Sequence, residues 1–298
     1  LENTAVGHYA LDANSTGSYN VALGTGALLS NTVSGNTALG YTALRDNTTG
    51  VYNVAVGFGA LFENEIGGNN TAVGYLALQK NLGDANTALG SGALNLNTTA
   101  DYNTAVGFAA LSVNSTGTEN ISVGSLSMYD NTTGSNNSAV GHGALSNNTT
   151  GWYNVAVGTK ALYTNTTGLA NTAIGETALY DNTTGSQNTA IGSVALGSNT
   201  TGSYNVAVGR QAGWSNETGN NNVFLGYYAG YSETGSNKLY IGSFDVANNA
   251  ERNLLYGDFS TGDLSLGQTQ GTVSVLNALA VAGDLYLDGV ALTNDNGT

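Results

Sequence analysis

A glycine returns every 16 or 17 residues through most of this chain, and each time it closes a short N-x-A-x-G phrase. Asn stands four residues before this marker Gly from Asn3 to Asn222, and a second Asn stands seven residues after it from Asn14 to Asn216. Ala usually stands two residues before and three after it, with Leu four after it. The marker Gly positions are Gly7, Gly24, Gly40, Gly57, Gly74, Gly90, Gly107, Gly124, Gly141, Gly158, Gly175, Gly192, Gly209, Gly226 and Gly242.

A repeat of this length predicts a parallel β-solenoid. Helical hairpin repeats need about 30 residues or more, whereas the β-branched TAV and VAV segments favour strands and the flanking Asn and Gly favour turns. One strand per unit, stacked on its copy at ~4.8 Å, gives a rod roughly 67 Å long. We therefore predict an all-β fold, a β-roll of about fifteen coils of 16–17 residues over residues 1–242.

The two Asn columns are predicted to be corner residues, together with the marker Gly. Asn and Gly tolerate the left-handed backbone of tight corners better than other residues do. In a stacked coil each side chain lies over its own copy, so a column of Asn can link amide donor to amide acceptor, whereas a column of Asp would repel itself. We therefore expect amide ladders along the rod.

The strand triplets are apolar on both faces, but a thin coil has one interior. Side chains alternate across a strand, so the central Ala of NVAVG faces away from its two Val neighbours. We expect Ala and the xxAL segment to fill the interior. The Thr, Val, Leu and Ile side chains then form an outer apolar face, which predicts an intertwined or side-by-side homotrimer. A wider monomeric coil that buries both faces is the alternative.

Several phrases resemble those of a known group of proteins. NVAVG, NTAIG and NISVG, within residues 3–242, resemble the SVAIG-type strand motif of head domains in trimeric autotransporter adhesins, which are left-handed parallel β-rolls. GRQAGWSNETGNNNVFLGYYAG and NLLYGDFSTGDLSLG look similar to repeats of phage tail-fibre and bacterial fibre-like proteins. The resemblance implies a left-handed, trimeric, extracellular fibre. In that group a self-cleaving chaperone domain of the endosialidase type commonly follows, so we expect this chain to be a fragment or a processed product.

The fixed columns disappear after Gly242. The segment VSVLNALAVAGDLYLDGVAL alternates apolar and polar residues in places, and the Asp-Gly pair near its end favours a tight turn. A bare last coil would leave an open strand edge, which solenoids cover with a cap. We therefore predict that residues 243–298 form a β-rich trimeric neck or cap.

The titratable residues do not converge as catalysis or metal binding requires. Asp46, Asp130 and Asp181 share one repeat position, but coil spacing separates successive members by roughly 24 Å and 14 Å. His8 and His142 are eight coils apart. We therefore predict that the chain is not an enzyme and has no cofactor. Calcium-binding β-rolls use an Asp in every repeat, whereas the fixed residue here is Asn, which leaves only isolated Ca²⁺ sites at turns open.

Charge and hydropathy limit the partners. Six Lys and Arg against 20 Asp and Glu give a net charge of −14, so binding to nucleic acid and to anionic membranes is disfavoured. No apolar run reaches the roughly 18 residues that a membrane-spanning helix needs. We therefore predict neither a nucleic-acid partner nor membrane insertion.

Candidate recognition residues lie at the positions of the repeat whose residue varies from coil to coil. Five residues before the marker Gly, a Tyr recurs every 50 or 51 residues, and five residues after it other aromatic residues occur. The hypothesis is an aromatic ladder that stacks on sugar rings; the alternative is duplication of a three-coil block, with Tyr packing on a neighbouring chain. The candidates are Tyr52, Tyr102, Tyr153 and Tyr204 in the first set and Phe62, Tyr129, Tyr163, Tyr180 and Trp214 in the second.

These observations predict a non-enzymatic extracellular fibre, a rigid trimeric shaft or head that attaches a virion tail fibre or a cell to a surface through a glycan or a cell-surface receptor. A purely structural self-assembling filament is the alternative. An ice-binding or polysaccharide-binding solenoid ranks lower, because ice binding needs an unbroken Thr array. The strand Thr column is interrupted by Val21, Val54, Val155, Val206 and Val223.

Overall fold

The computed structural model describes residues 2–245 and 250–266, and within them the regular structure consists of β-strands. The fourteen short strands have three residues each. They are β1 (Thr4–Val6), β2 (Val21–Leu23), β3 (Thr37–Leu39), β4 (Val54–Val56), β5 (Thr71–Val73), β6 (Thr87–Leu89), β7 (Thr104–Val106), β8 (Ile121–Val123), β9 (Ser138–Val140), β10 (Val155–Val157), β11 (Thr172–Ile174), β12 (Thr189–Ile191), β13 (Val206–Val208) and β14 (Val223–Leu225). Three longer strands follow: β15 (Lys238–Asp245), β16 (Ala250–Asp258) and β17 (Asp263–Leu266).

Strands β1 to β15 pair in chain order, all in parallel. The register places each strand residue beside its equivalent in the next coil, as where Ala156 lies beside Ala173. The chain is therefore a parallel β-solenoid of about 14 turns with about 17 residues per turn, which confirms the predicted fold class.

The interior is a thin column of small and medium apolar side chains. A typical coil contributes Ala55 from the strand centre and the pair Ala60 and Leu61, all fully buried. This confirms the predicted role of the Ala and Leu columns. One coil departs from the pattern with Ser122, Ser127 and Met128 at the three core positions, and the Ser122 hydroxyl donates to the Ser127 carbonyl at 2.9 Å.

Both Asn columns are buried and run along the rod as hydrogen-bonded ladders. In the column seven residues after the marker Gly, Asn131 Nδ2 donates to Asn114 Oδ1 in the preceding coil at 2.8 Å and to the Gly134 carbonyl at 2.9 Å. In the column four residues before it, the Oδ1 atom accepts a backbone N–H from the next coil, as in the 3.0 Å bond from Asn137 N to Asn120 Oδ1. The predicted ladders are thus confirmed, although the column four residues before the marker Gly links side-chain oxygens to backbone N–H groups.

The prediction that both Asn columns occupy left-handed corners is wrong. Positive φ occurs at residues two and four after the marker Gly and five before it, as in Ala109 (φ 50), Leu61 (φ 52) and Tyr52 (φ 60). The stacking of coils stabilises these conformations, since most of these residues donate a backbone N–H to a neighbouring coil; Leu61 N, for example, donates to the Ala77 carbonyl at 3.0 Å. Full burial of the Leu side chain adds to this, which offsets a backbone cost of about 1–2 kcal/mol.

The marker Gly is required, as predicted. At Gly57 the backbone has φ +132, and a Cβ atom there would lie 2.4 Å from the Gly74 carbonyl oxygen of the next coil. Both the conformation and the close approach of adjacent coils exclude any other residue.

The last coils change their core packing. Phe224 replaces the usual strand Ala, and Gly213 and Gly230 stand where other coils have Leu. A Cβ atom on either Gly would lie within 2.4 Å of the Phe224 ring, so one large side chain occupies the space of two Leu side chains. Tyr240 then packs on Phe224, with ring centroids 5.9 Å apart.

The rod continues at its end into an antiparallel meander, in which β15 pairs with β16 and β16 with β17. The predicted boundary between residues 242 and 243 lies within β15. Residues 246–249 and 267–298 of the predicted neck or cap lie outside the described residues.

Candidate functional site

An apolar stripe runs along the outside of the solenoid. It consists of the residues one and three before each marker Gly, which flank the buried central strand residue. Its large apolar members that are strongly exposed are Val6, Val21, Leu23, Leu39, Val54, Leu89, Ile121, Val140, Val157, Ile174, Ile191, Val206 and Leu225. The outward face predicted from the strand alternation is therefore present, and the alternative of a wide coil that buries both faces is wrong.

No charged residue lies in the apolar stripe between β1 and β14. From β1 to β14 its length is roughly 62 Å, and a width of about 10 Å for two side-chain columns gives an area of roughly 620 Å². Thr and Ser side chains contribute part of this area, which is comparable to the largest apolar patch of a typical monomer, about 300–600 Å². In a chain with a net charge of −14, such an uncharged stripe has the composition of an interface core.

Three aromatic rings stack at the edge of the apolar stripe, directly after the marker Gly of successive coils. Tyr41 and Phe58 have centroids 5.1 Å apart, and Phe58 and Tyr75 have centroids 5.4 Å apart. All three side chains are about half exposed. Sequence reasoning did not select these residues, although aromatic residues at one repeat position in three consecutive coils were the available signal.

The predicted tyrosines five residues before the marker Gly are exposed but isolated from one another. Tyr52, Tyr102, Tyr153 and Tyr204 each expose more than half of their surface and have left-handed backbone. Members three coils apart are separated by about 14 Å, so the structure does not bring them together. Tyr19 has the same repeat position and exposure, and the sequence prediction missed it because it is two coils from Tyr52.

The predicted aromatic residues five after the marker Gly behave differently, because some of them stack. Tyr163 and Tyr180 have parallel rings with centroids 5.4 Å apart and planes 5° apart. Trp214 stacks on Tyr231, a residue that the prediction missed, at 5.1 Å and 9°. We call these four residues the aromatic column. Tyr129 has the same repeat position two coils before Tyr163 and is 37% exposed.

A shallow cleft of about 220 Å³ interrupts the aromatic column at Gly197. Tyr180 and Trp214 lie on either side of it, and Asp181 and Ser198 contribute polar groups to its lining. Gly197 is buried, and a Cβ atom there would lie 2.7 Å from Val194 Cγ1 and 3.1 Å from Trp214 Cδ1.

Phe62, the remaining predicted aromatic residue, belongs to a charged cluster. The Arg45 guanidinium lies 3.7 Å from the Phe62 ring centroid, and Arg45 Nε contacts Asp46 Oδ1 at 2.7 Å. The hydrogen bond to Asp46 raises the pKa of Arg45. Lys80 Nζ lies 3.7 Å from Glu63 Oε2 beside a cleft of about 460 Å³. The charges in this cluster largely satisfy one another.

The acidic residues considered for catalysis stay on separate coils. Asp46 is paired with Arg45, whereas Asp181 borders the Gly197 cleft. Within residues 2–245 and 250–266, no three His, Asp or Glu side chains group as a metal site requires. In the same ranges there is no helix that could cross a membrane.

Comparisons with protein-family models, with curated proteins and with solved structures each give no match. The resemblance in the strand motif therefore remains a prediction.

Proposed function

We propose that this chain forms a non-enzymatic extracellular fibre, a rigid homotrimeric shaft or head that attaches to a cell or another surface. The observation that carries the proposal is the apolar stripe, uncharged and exposed along the whole solenoid. Two further copies of the same chain are the occupants that fit it, because every copy carries the stripe with the same coil spacing. Three parallel copies in register then bury all three stripes against a common axis.

The attachment role is supported by the different roles of the fixed and the variable residues within each coil. The fixed residues build the core and the ladders, whereas the residues directly after the marker Gly and five residues from it vary, and most of them are partly or fully exposed. Exposed aromatic clusters such as Tyr41, Phe58 and Tyr75 sit at these variable positions. A rigid scaffold with variable exposed positions is a common arrangement for binding.

The oligomeric state is tested by native mass in solution. We expect about 90 kDa, three times the chain mass of 30.1 kDa. Ile191→Asp places a charge in the apolar stripe and is expected to dissociate the trimer, because an unpaired charge at an interface core is costly. Ile66→Asp is the matched control, since Ile66 is 56% exposed but lies outside the stripe. A monomeric parent chain contradicts the assembly.

The attachment role is tested separately on the intact trimer with glycan arrays and cell-binding assays. Saturable binding to a cell surface or to one class of glycan supports it. A trimer that binds no surface but associates end to end supports instead the purely structural filament.

A further inference from the structure

The aromatic column lacks an aromatic residue at one repeat position, between Tyr180 and Trp214. Tyr163 and Tyr180 form one stacked pair, and Trp214 and Tyr231 form the other, with Gly197 at the repeat position between them. Each pair uses one face of its inner ring for the stack. Tyr180 and Trp214, the inner rings of the two pairs, both line the Gly197 cleft.

The spacing of the coils fits an inserted ring. Tyr180 and Trp214 are two coils apart, and rings one coil apart in this column have centroids 5.4 and 5.1 Å apart. At that spacing a ring inserted midway lies roughly 5 Å from each, within the roughly 4.5–7 Å over which ring pairs interact favourably. The cleft volume of about 220 Å³ accommodates one six-membered ring with its substituents.

The polar groups of the cleft indicate the chemistry of that ring. Asp181 is exposed and takes part in none of the three ion pairs found among the described residues. Its carboxylate can accept hydrogen bonds from hydroxyl groups, and Ser198 and Thr177 lie in the same lining. A ligand with apolar C–H faces and a hydroxyl-bearing edge satisfies both the two aromatic faces and this rim. The net charge of −14 disfavours an anionic ligand.

We propose that the Gly197 cleft binds one neutral pyranose unit of a surface glycan, with the sugar ring between Tyr180 and Trp214 and a hydroxyl donating to Asp181. The proposal rests on the attachment function and names its ligand class and one of its sites. Ser146, which has the same repeat position between Tyr129 and Tyr163, is different. There the Lys160 ammonium lies 5.3 Å from the Tyr163 ring centroid, and the Ser146 side chain is buried.

Binding is measured on the full chain by Trp fluorescence. Trp152 is the other Trp in the chain, so Trp152→Phe makes Trp214 the sole reporter. Titration with methyl β-galactopyranoside and methyl β-glucopyranoside is expected to give a saturable change with at least one of them, and sialic acid is expected to give none. Tyr180→Ala should weaken binding at least about tenfold, and Asp181→Asn about threefold or more. Tyr163→Ala, which removes the ring beneath Tyr180 but no face of the cleft, should change affinity less than about threefold.

The outcomes separate this site from the attachment function. A trimer that adheres to cells while neither neutral glycoside perturbs Trp214 overturns the sugar site and leaves attachment standing. A saturable response to indole or phenol without any response to the glycosides overturns the ligand class. A glycoside response that Tyr180→Ala leaves unchanged places binding elsewhere and also overturns the proposal. If the glycosides bind as expected but the trimer adheres to nothing, the attachment function fails and the site stands.

Discussion

The strands of the regular coils and the strands of the C-terminal meander pair in opposite directions. In the coils each residue pairs with its own equivalent 16 or 17 positions away, in parallel, as Thr172 does with Thr189. In the meander unlike residues pair in antiparallel strands, as Leu239 does with Gly257. The coils are held by buried neutral amides, whereas the ion pair of Lys238 with Asp258 links β15 to β16.

The difference shows what repetition permits. A buried polar group needs a partner, and in a stack the partner is another copy of the same group, so the group must be both donor and acceptor. Asn meets that condition and Asp does not. Where the copies end, complementary residues of opposite charge replace identical ones. Charge inside the coils should therefore be far more damaging than charge outside them.

Asn70→Asp is expected to cause the largest loss. Asn70 Nδ2 donates to the Gly83 carbonyl at 2.9 Å, and a carboxylate there would face that oxygen, buried and without a cation. The expected cost in unfolding free energy is about 3–5 kcal/mol. Guanidinium unfolding followed by far-UV circular dichroism measures it.

The adjacent residue supplies the control. Asn69→Asp makes the same chemical change at an exposed position, and it should alter the unfolding free energy by about 0.5 kcal/mol or less. Equal effects of the two substitutions would contradict the role given to the buried ladder.

Gly90→Ala should be the next most damaging change. The backbone of Gly90 has φ +144, and the new Cβ atom would lie 2.3 Å from the Gly107 carbonyl oxygen. Strain and overlap together predict a cost of about 3 kcal/mol. In Gly92→Ala, where φ is +67 and the nearest atom is 4.0 Å away, the cost should be about 1 kcal/mol. Thermal unfolding of the two variants side by side distinguishes close approach from general loss of glycine.

The architecture could be predicted from the sequence because a stacked fold repeats its constraints. Every coil repeats the same strand, core pair and amide. A departure from the repeat at one coil, such as Ser122 in place of Ala, therefore does not hide the pattern. The outward direction of the apolar stripe followed from strand alternation and a single interior. The marker Gly followed from its invariance among drifting neighbours.

The corners and the recognition surface could not be predicted in the same way. Leu61 gives no sign in the sequence of a left-handed backbone, because its conformation is stabilised by bonds between coils rather than by its own preference. The isolation of Tyr52 depends on the coil spacing, and the pairing of Trp214 with Tyr231 depends on how side chains lean between coils. The Gly197 cleft is visible only as an absent side chain between stacked rings.

The altered core at the end of the coils predicts that substitutions of Phe224 and Gly230 are energetically coupled. Phe224→Ala alone leaves a cavity, and Gly230→Leu alone overlaps the Phe224 ring, where even a Cβ atom would be 2.3 Å away. Together they restore the Ala and Leu pair in the coil of Gly226, while Gly213 stays unchanged, and other Leu residues already occupy the same left-handed backbone. The double variant should be more stable than the sum of the single effects by about 2 kcal/mol. Strict additivity in a double-mutant cycle contradicts this explanation of the exchange.

The smallest effect is expected at the ion pair that joins β15 to β16. The hydrogen bond from Lys238 lowers the pKa of Asp258, with Ser260 contributing next, and the bond to Asp258 raises the pKa of Lys238. The contribution of Asp258 to stability is thus present above its ordinary pKa of 3.8 and lost as pH falls further. The contribution of Lys238 is present below 10.5 and lost as pH rises beyond it.

Lys238→Met should therefore speed amide hydrogen exchange in β16 at about pH 7 and have less effect at about pH 3, after correction for intrinsic rates. Lys80→Met in the regular coils is the control, since Lys80 Nζ and Glu63 Oε2 are 3.7 Å apart and both side chains are more than 40% exposed. It should leave exchange in its coil unchanged at both pH values, because the buried amides hold that coil. A larger pH-dependent effect at Lys80 than at Lys238 would mean that charge supports the coils as much as it supports the meander, and the contrast between the two regions would fail.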